Sequence, residues 1–171
     1  LVRLLTGQLN GGENAMYWGN NAYETYKKQS IAENMIRISH DAHIFERTVR
    51  ENLLMGKRTA TDTELINALK TVQLYAEIEP RGGLDLEIKS GGNNLSGGQK
   101  QRLVLARAIL HQAKVYVFDE ASSNIDVESE AIILEVMNEI AQDNIVILVS
   151  HRLYASKNAK KIIFKLKKIS N

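Results

Sequence analysis

Apolar positions along this chain switch repeatedly between helical and strand spacing. Near the start Leu1, Leu4 and Leu5 keep helical spacing and Gly7 supplies a stop, so the sequence reads as opening inside a helix. Asn14 to Trp18 reads as a short strand closed by Gly19-Asn20. Thr61 and Glu64 form a capping-box pair ahead of Leu65, Ala68, Leu69 and Val72, which share one helix face. Gly82-Gly83 and Gly91-Gly92 bracket an irregular stretch, after which a helix is predicted over 97–111. Val115 to Phe118 is continuously apolar, too short and too rich in β-formers for a helix. Ile133, Val136, Met137, Ile140 and Ala141 follow an i, i+3, i+4, i+7, i+8 pattern, an amphipathic helix. Ile145 to Val149 is again an uninterrupted apolar strand, and Lys161 to Lys165 reads as another, with no turn signal after it.

Continuously apolar strands alternating with helices predict an α/β fold, a mostly parallel sheet covered by helices on both faces. Ligands of such sheets gather at the carboxyl ends of the strands, so the polar residues just beyond the two apolar runs are where chemistry is expected.

Composition narrows the picture. The chain has 171 residues, 44% hydrophobic and 25% charged, with a mean hydropathy of −0.24, which fits one globular domain with a full core. A net charge of +2 is too mild to argue for nucleic acid. The basic excess is local: Lys157, Lys160, Lys161, Lys165, Lys167 and Lys168 fall together with no acid among them, and read as a solvated face rather than a polyanion site. The longest uninterrupted aliphatic run, Ile145 to Val149, is far short of a membrane span. With no cysteine the chain forms no disulfide and no thiolate metal site, in keeping with a reducing compartment.

Three places carry candidate chemistry. Asp119 and Glu120 follow the first apolar strand; a carboxylate there can hold Mg²⁺ while phosphates complete its shell, and a second beside it can take a proton from an attacking water. Two acids solvated at a strand end would look the same. Ser150 and His151 follow the other strand, and the His can reach a phosphate oxygen or do nothing of the kind. The third place is the string Leu95-Ser96-Gly97-Gly98-Gln99-Lys100-Gln101-Arg102. Two glycines where a helix begins let unpaired N–H groups approach an anion, the helix dipole favours negative charge, and the Ser96 hydroxyl adds a donor.

With this string in place, the chain resembles the nucleotide-binding domain of ATP-binding-cassette (ABC) ATPases over essentially its whole length. The matching pieces are the signature Leu95 to Gln99, the Walker B strand ending in Asp119 and Glu120, the D-loop Ser122-Ser123-Asn124-Ile125-Asp126, and the switch His151 within Val149 to Leu153. The stretch Phe45 to Leu54 and the ending Val149 to Leu153 resemble exporter-type cassettes. The resemblance implies a P-loop NTPase-like core with a helical subdomain over about 41–102 that carries the signature. It implies ATP and Mg²⁺, and a second cassette paired head to tail. Leu95, Ser96, Gly97, Gly98 and Gln99 would then meet the ATP held by the partner. Asp119 would position the metal, Glu120 would activate water, His151 would contact the γ-phosphate, and Asp126 would couple the two sites. Hydrolysis would drive transmembrane domains from the cytoplasmic face of the cell membrane, with no role for nucleic acid. The other readings the family admits are a soluble, non-transport ABC ATPase and a catalytically degenerate regulatory cassette.

The sequence departs from the family pattern in three respects. No G-x-x-x-x-G-K-[ST] occurs, and the expectation is that this Walker A loop ends immediately before Leu1, leaving the 171 residues alone unable to hold ATP in their own site. Ile38-Ser39-His40-Asp41 aligns with the Q-loop, where His40 replaces a glutamine and offers Mg²⁺ an imidazole in place of an amide oxygen. His40 and His43 read together as a metal pair are the alternative. Finally, the loop before the signature reads Leu86-Glu87-Ile88-Lys89-Ser90-Gly91-Gly92, unlike its usual exporter form.

Overall fold

The computed structural model describes Thr6 and residues 17–18, 20–121 and 125–150. The predicted helix at Leu1 to Thr6, the strand at Lys161 to Lys165, the D-loop residues Ser122 to Asn124 and the switch His151 lie outside the described residues, apart from Thr6.

The chain runs through a two-residue hairpin, β1 (Tyr17–Trp18) and β2 (Asn21–Ala22), into α1 (Lys28–Asn34) and β3 (Met35–Ser39). A helical excursion follows: α2 (Val49–Leu54), α3 (Asp62–Thr71), α4 (Tyr75–Ile78), three 3₁₀ turns between 79 and 92, and α5 (Gly97–His111). The chain then returns to the sheet as β4 (Val115–Asp119), crosses over through α6 (Val127–Asp143) and re-enters as β5 (Ile145–Val149). The three strands are parallel in the order β3-β4-β5, with Ser39, Asp119 and Val149 in register at their carboxyl ends. The expected parallel sheet and the helices predicted at 97–111 and around Ile133 are all present.

The strand pleat sorts the core into two layers. Ile38, Tyr116 and Phe118 belong to the larger cluster, on the side where α5 packs on β3; Met35, Val115 and Val117 face the other way, toward Ile31, Ile147 and Val149. This is why β4 is apolar at every position: both of its faces are covered. β5 differs from its reading as a buried strand. Ile145 is 61% exposed and Leu148 37%, because among the described residues β5 is hydrogen-bonded to a strand only on its β4 side.

Each helix of the excursion is entered through a local cap. Thr61 and Glu64 exchange the two hydrogen bonds of a capping box, as their spacing predicts, and Thr48 with Glu51 forms a second. Tertiary contacts then bind these helices to α5. Asn52 is fully buried: its amide nitrogen donates to the carbonyls of Phe45 and Thr48, and its oxygen accepts from the Phe45 N–H and from Arg107 of α5. Arg107 also donates to the carbonyls of Asn52 and His43 and lies over the Phe45 ring. One hub therefore fastens the loop after β3 to the middle of α5.

Candidate functional site

The strand tips are the first half of the site. Parallel register sets Ser39, Asp119 and Val149 side by side, so the residues that follow them, His40, Glu120 and Ser150, leave the sheet along one edge. Asp119 is half-buried, and its Oδ2 accepts two hydrogen bonds from Arg37 of β3, from Nε at 3.0 Å and from Nη2 at 2.6 Å. Glu120 is in the left-handed region at φ 51°, and its N–H donates to the Val149 carbonyl at 2.9 Å. A non-glycine residue held there costs on the order of 1–2 kcal/mol. Asp41 is exposed beyond the turn; the Ser39 hydroxyl first, and Arg37 after it, hold its carboxyl below the usual range.

The second half is the N-terminus of α5. Ser96 caps the helix by accepting from the Gln99 N–H at 3.1 Å, while the Gln99 side-chain oxygen accepts from the Ser96 N–H at 2.9 Å. The remaining amide group of Gln99 donates to Glu77 of α4 at 2.7 Å, and the same carboxylate pairs with the buried Arg102 at 2.6 Å. Gln99 is thus engaged at both ends inside the chain. Leu95 is buried and anchors the loop in the core. Ser96 and Gly97 are exposed, and the first-turn N–H groups of Gly97 and Gly98 have no i−4 carbonyl within the helix to accept them.

Gly98 is buried for a steric reason. A Cβ there would stand 2.0 Å from Ser129 Oγ and 2.6 Å from Asp126 Oδ2, so the signature turn and the start of α6 touch backbone to side chain. Asp126 is the cap of α6: its Oδ1 accepts from the Ser129 N–H at 2.8 Å, and hydrogen bonds from the Ser129 backbone and then its hydroxyl hold the carboxyl below the usual range.

The two halves meet in a cleft of about 170 Å³ lined by His40, Ala42, Gly97, Lys100, Gln101, Val104 and Ile125. Gln101 crosses its floor, donating to the Ser39 carbonyl at 3.3 Å. His40 is therefore brought to the signature helix of its own chain. His43 instead stacks edge-on against Phe45, 4.5 Å between ring centres. Among the described residues no group of three or more His, Cys, Asp or Glu side chains could hold a metal by itself. A single hard carboxylate oxygen at a strand tip suits Mg²⁺ that brings phosphate and water ligands with it, so the donor set fits that ion.

Arg37 was not legible as a site residue from motifs. Its signal was present, however: one cation in an apolar five-residue strand, Met-Ile-Arg-Ile-Ser, two positions before the strand tip.

The parallel strands, the acids at the tip of β4 and the capped glycine start of α5 are the features on which comparison with known proteins bears. Residues 1–123 match the ABC transporter family, and the chain belongs to it. An uncharacterized ABC transporter ATP-binding protein of Haemophilus influenzae is 44% identical over 161 residues, covering 93% of this chain and 28% of that protein. A β-(1→2)glucan export ATP-binding/permease protein of Agrobacterium vitis is 33% identical over 141 residues, covering 82% and 24%. Among solved structures, a bacterial Atm1-family ABC exporter with ATP bound superimposes with a TM-score of 0.80 at 28% identity, covering 89% of this chain and 27% of that one. The chain thus spans about a quarter of the length of these relatives.

Proposed function

We propose that this chain is the ATP-binding and hydrolysing cassette of an exporter-type membrane transporter, working at the cytoplasmic face of the membrane. Among the described residues no helix is long and apolar enough to cross a membrane, so in this reading the transmembrane domains lie outside them. The observation that carries the proposal is the exposed, capped start of α5 set against the aligned tips of β3, β4 and β5.

In this reading two cassettes pair head to tail. Ser96, Gly97 and Gly98 offer a hydroxyl and two helix-start N–H groups to the γ-phosphate of ATP on the partner cassette. Gln99 keeps that helix start in shape through its cap and its bond to Glu77. Glu120, just past β4, takes the proton from the attacking water, His151, which follows β5 in the sequence, contacts the γ-phosphate, and His40, just past β3, contributes to the nucleotide site. Asp126, the α6 cap that touches Gly98, links the signature to the opposite site. Mg²⁺ held at Asp119 would neutralise charge on the phosphates. The helical excursion over 41–102 is the subdomain that presents the signature.

The test is Glu120→Gln in the full-length protein. ATP binding is expected to persist while turnover falls by about 10²-fold or more, as for loss of a general base. Wild-type turnover in the variant would make Glu120 a solvated strand-end acid.

A further inference from the structure

The bond between Arg37 and Asp119 has no place in the function just described. It is a strong contact: one carboxylate oxygen receives two guanidinium N–H groups, at 2.6 and 3.0 Å, with the Arg37 side chain 27% exposed and that of Asp119 20%. Strand geometry produces it. Arg37 lies two residues before Ser39, Ser39 is in register with Asp119, and alternate residues of adjacent parallel strands share a face. The same Nη2 atom stands 4.0 Å from Asp41, whose side chain is 63% exposed. Arg37 therefore has two acidic neighbours, one inside the strand edge and one at the surface beyond the turn.

A half-buried carboxylate that receives a guanidinium is compensated, and left alone it is not. A divalent cation arriving at the same carboxylate meets a positive charge already bound to Oδ2, and the two repel across one small group. Either the guanidinium moves or the cation binds weakly. Asp41 supplies a destination that needs only a side-chain rotation, because Arg37 is already within ion-pair range of it.

We propose that Arg37 is a positioning residue that holds Asp119 in the nucleotide-free state, competes with the divalent cation for it, and passes to Asp41 when the cation arrives. This rests on the reading of Asp119 as the carboxylate that faces the metal. The device keeps Asp119 compensated when no nucleotide is present and sets the metal concentration at which the site fills.

The experiment measures Mn²⁺ binding to the full-length protein with a non-hydrolysable ATP analogue, read from the magnetic-resonance signal of free Mn²⁺, beside analogue binding in EDTA. Arg37→Met keeps length and removes charge; it is expected to tighten Mn²⁺ binding by about fivefold, the scale of a partly exposed ion pair, without tightening analogue binding in EDTA. Arg37→Lys is expected to keep the wild-type Mn²⁺ affinity. Asp41→Asn removes the alternative partner and is expected to weaken Mn²⁺ binding in the wild-type background but not beside Arg37→Met. Unchanged or weaker Mn²⁺ binding in Arg37→Met, with binding still abolished by Asp119→Asn, would overturn the role of Arg37 alone. Undiminished binding in Asp119→Asn would overturn the metal reading of Asp119 and this proposal with it. If Arg37→Met fails to fold, Asp41→Asn decides in its place, since no effect of that variant on Mn²⁺ affinity would overturn the transfer.

Discussion

The start of α5 and the tips of β3–β5 solve opposite problems. The helix start is assembled by neighbours in sequence: Ser96 and Gln99 cap each other, and one outside carboxylate, Glu77, ties the cap to α4. Its polar side chains are engaged within the chain, and what remains to offer a ligand is the Ser96 O–H and the helix-start backbone N–H groups. The strand tips are assembled by residues far apart in sequence, with Arg37 and Asp119 separated by 82 positions. The Asp119 carboxylate is held by Arg37, and Glu120 sits in a strained backbone region. A surface that only receives a phosphate can be finished in advance. In the proposed reading the strand tips take up a cation and pass a proton, and there the Asp119 charge is compensated by an arginine from a neighbouring strand.

The largest effect separating the two halves is expected at Gly98. Ala there has better intrinsic helix propensity, yet its Cβ would overlap Ser129 Oγ and Asp126 Oδ2. Overpacking of this kind costs about 1–3 kcal/mol, so Gly98→Ala is expected to lower the urea midpoint, with Ser129→Gly in the same chain recovering part of the loss. A neutral or stabilised Gly98→Ala would show that the signature and α6 do not meet so closely.

At the strand tips the sign reverses. Glu120→Gly removes a side chain from a left-handed position, and the relief offsets the greater freedom of glycine in the unfolded chain. A gain of up to about 1 kcal/mol in unfolding free energy is expected, together with loss of turnover. If Glu120→Gly proves less stable, Glu120 is held by contacts worth more than its strain.

The smallest effect lies away from the site, where Glu64 is a control for local capping. Lys57 first, and then the Thr61 N–H and hydroxyl, lower its carboxyl from 4.5 to about 2. A depressed carboxyl contributes stability above its unfolded value and loses it as pH falls through the folded one. The melting temperature is therefore expected to decline between pH 4.5 and about 2 less steeply in Glu64→Gln than in the wild type. Parallel declines would mean that the half-exposed Lys57–Glu64 pair is screened to nothing.

How far each half could be read in advance follows from the same difference. The helix over 97–111, its cap, and the Thr61–Glu64 box need only spacings of three and four residues, so they were legible along with the apolar strands β4 and β5. Asp119 and Glu120 were legible as strand-end acids. β3 was not, because Arg37 interrupts its apolar pattern and only the register with β4 makes that arginine a partner of Asp119. The chain between 79 and 95 was irregular to the eye for a related reason. Its backbone is held by distant side chains, Arg81 on the Asn94 carbonyl and Lys100 on the Gly91 carbonyl, with Asn94 bridging Glu87 and Lys89. The buried Asn52 and the desolvated Arg107 look like ordinary polar helix residues until α2 and α5 are brought together. Local order rests on hydrogen bonds between residues a turn apart and is written in spacing. The compensation of a buried charge requires a partner that only the folded chain brings near, and so tertiary structure alone decided which cation Asp119 meets.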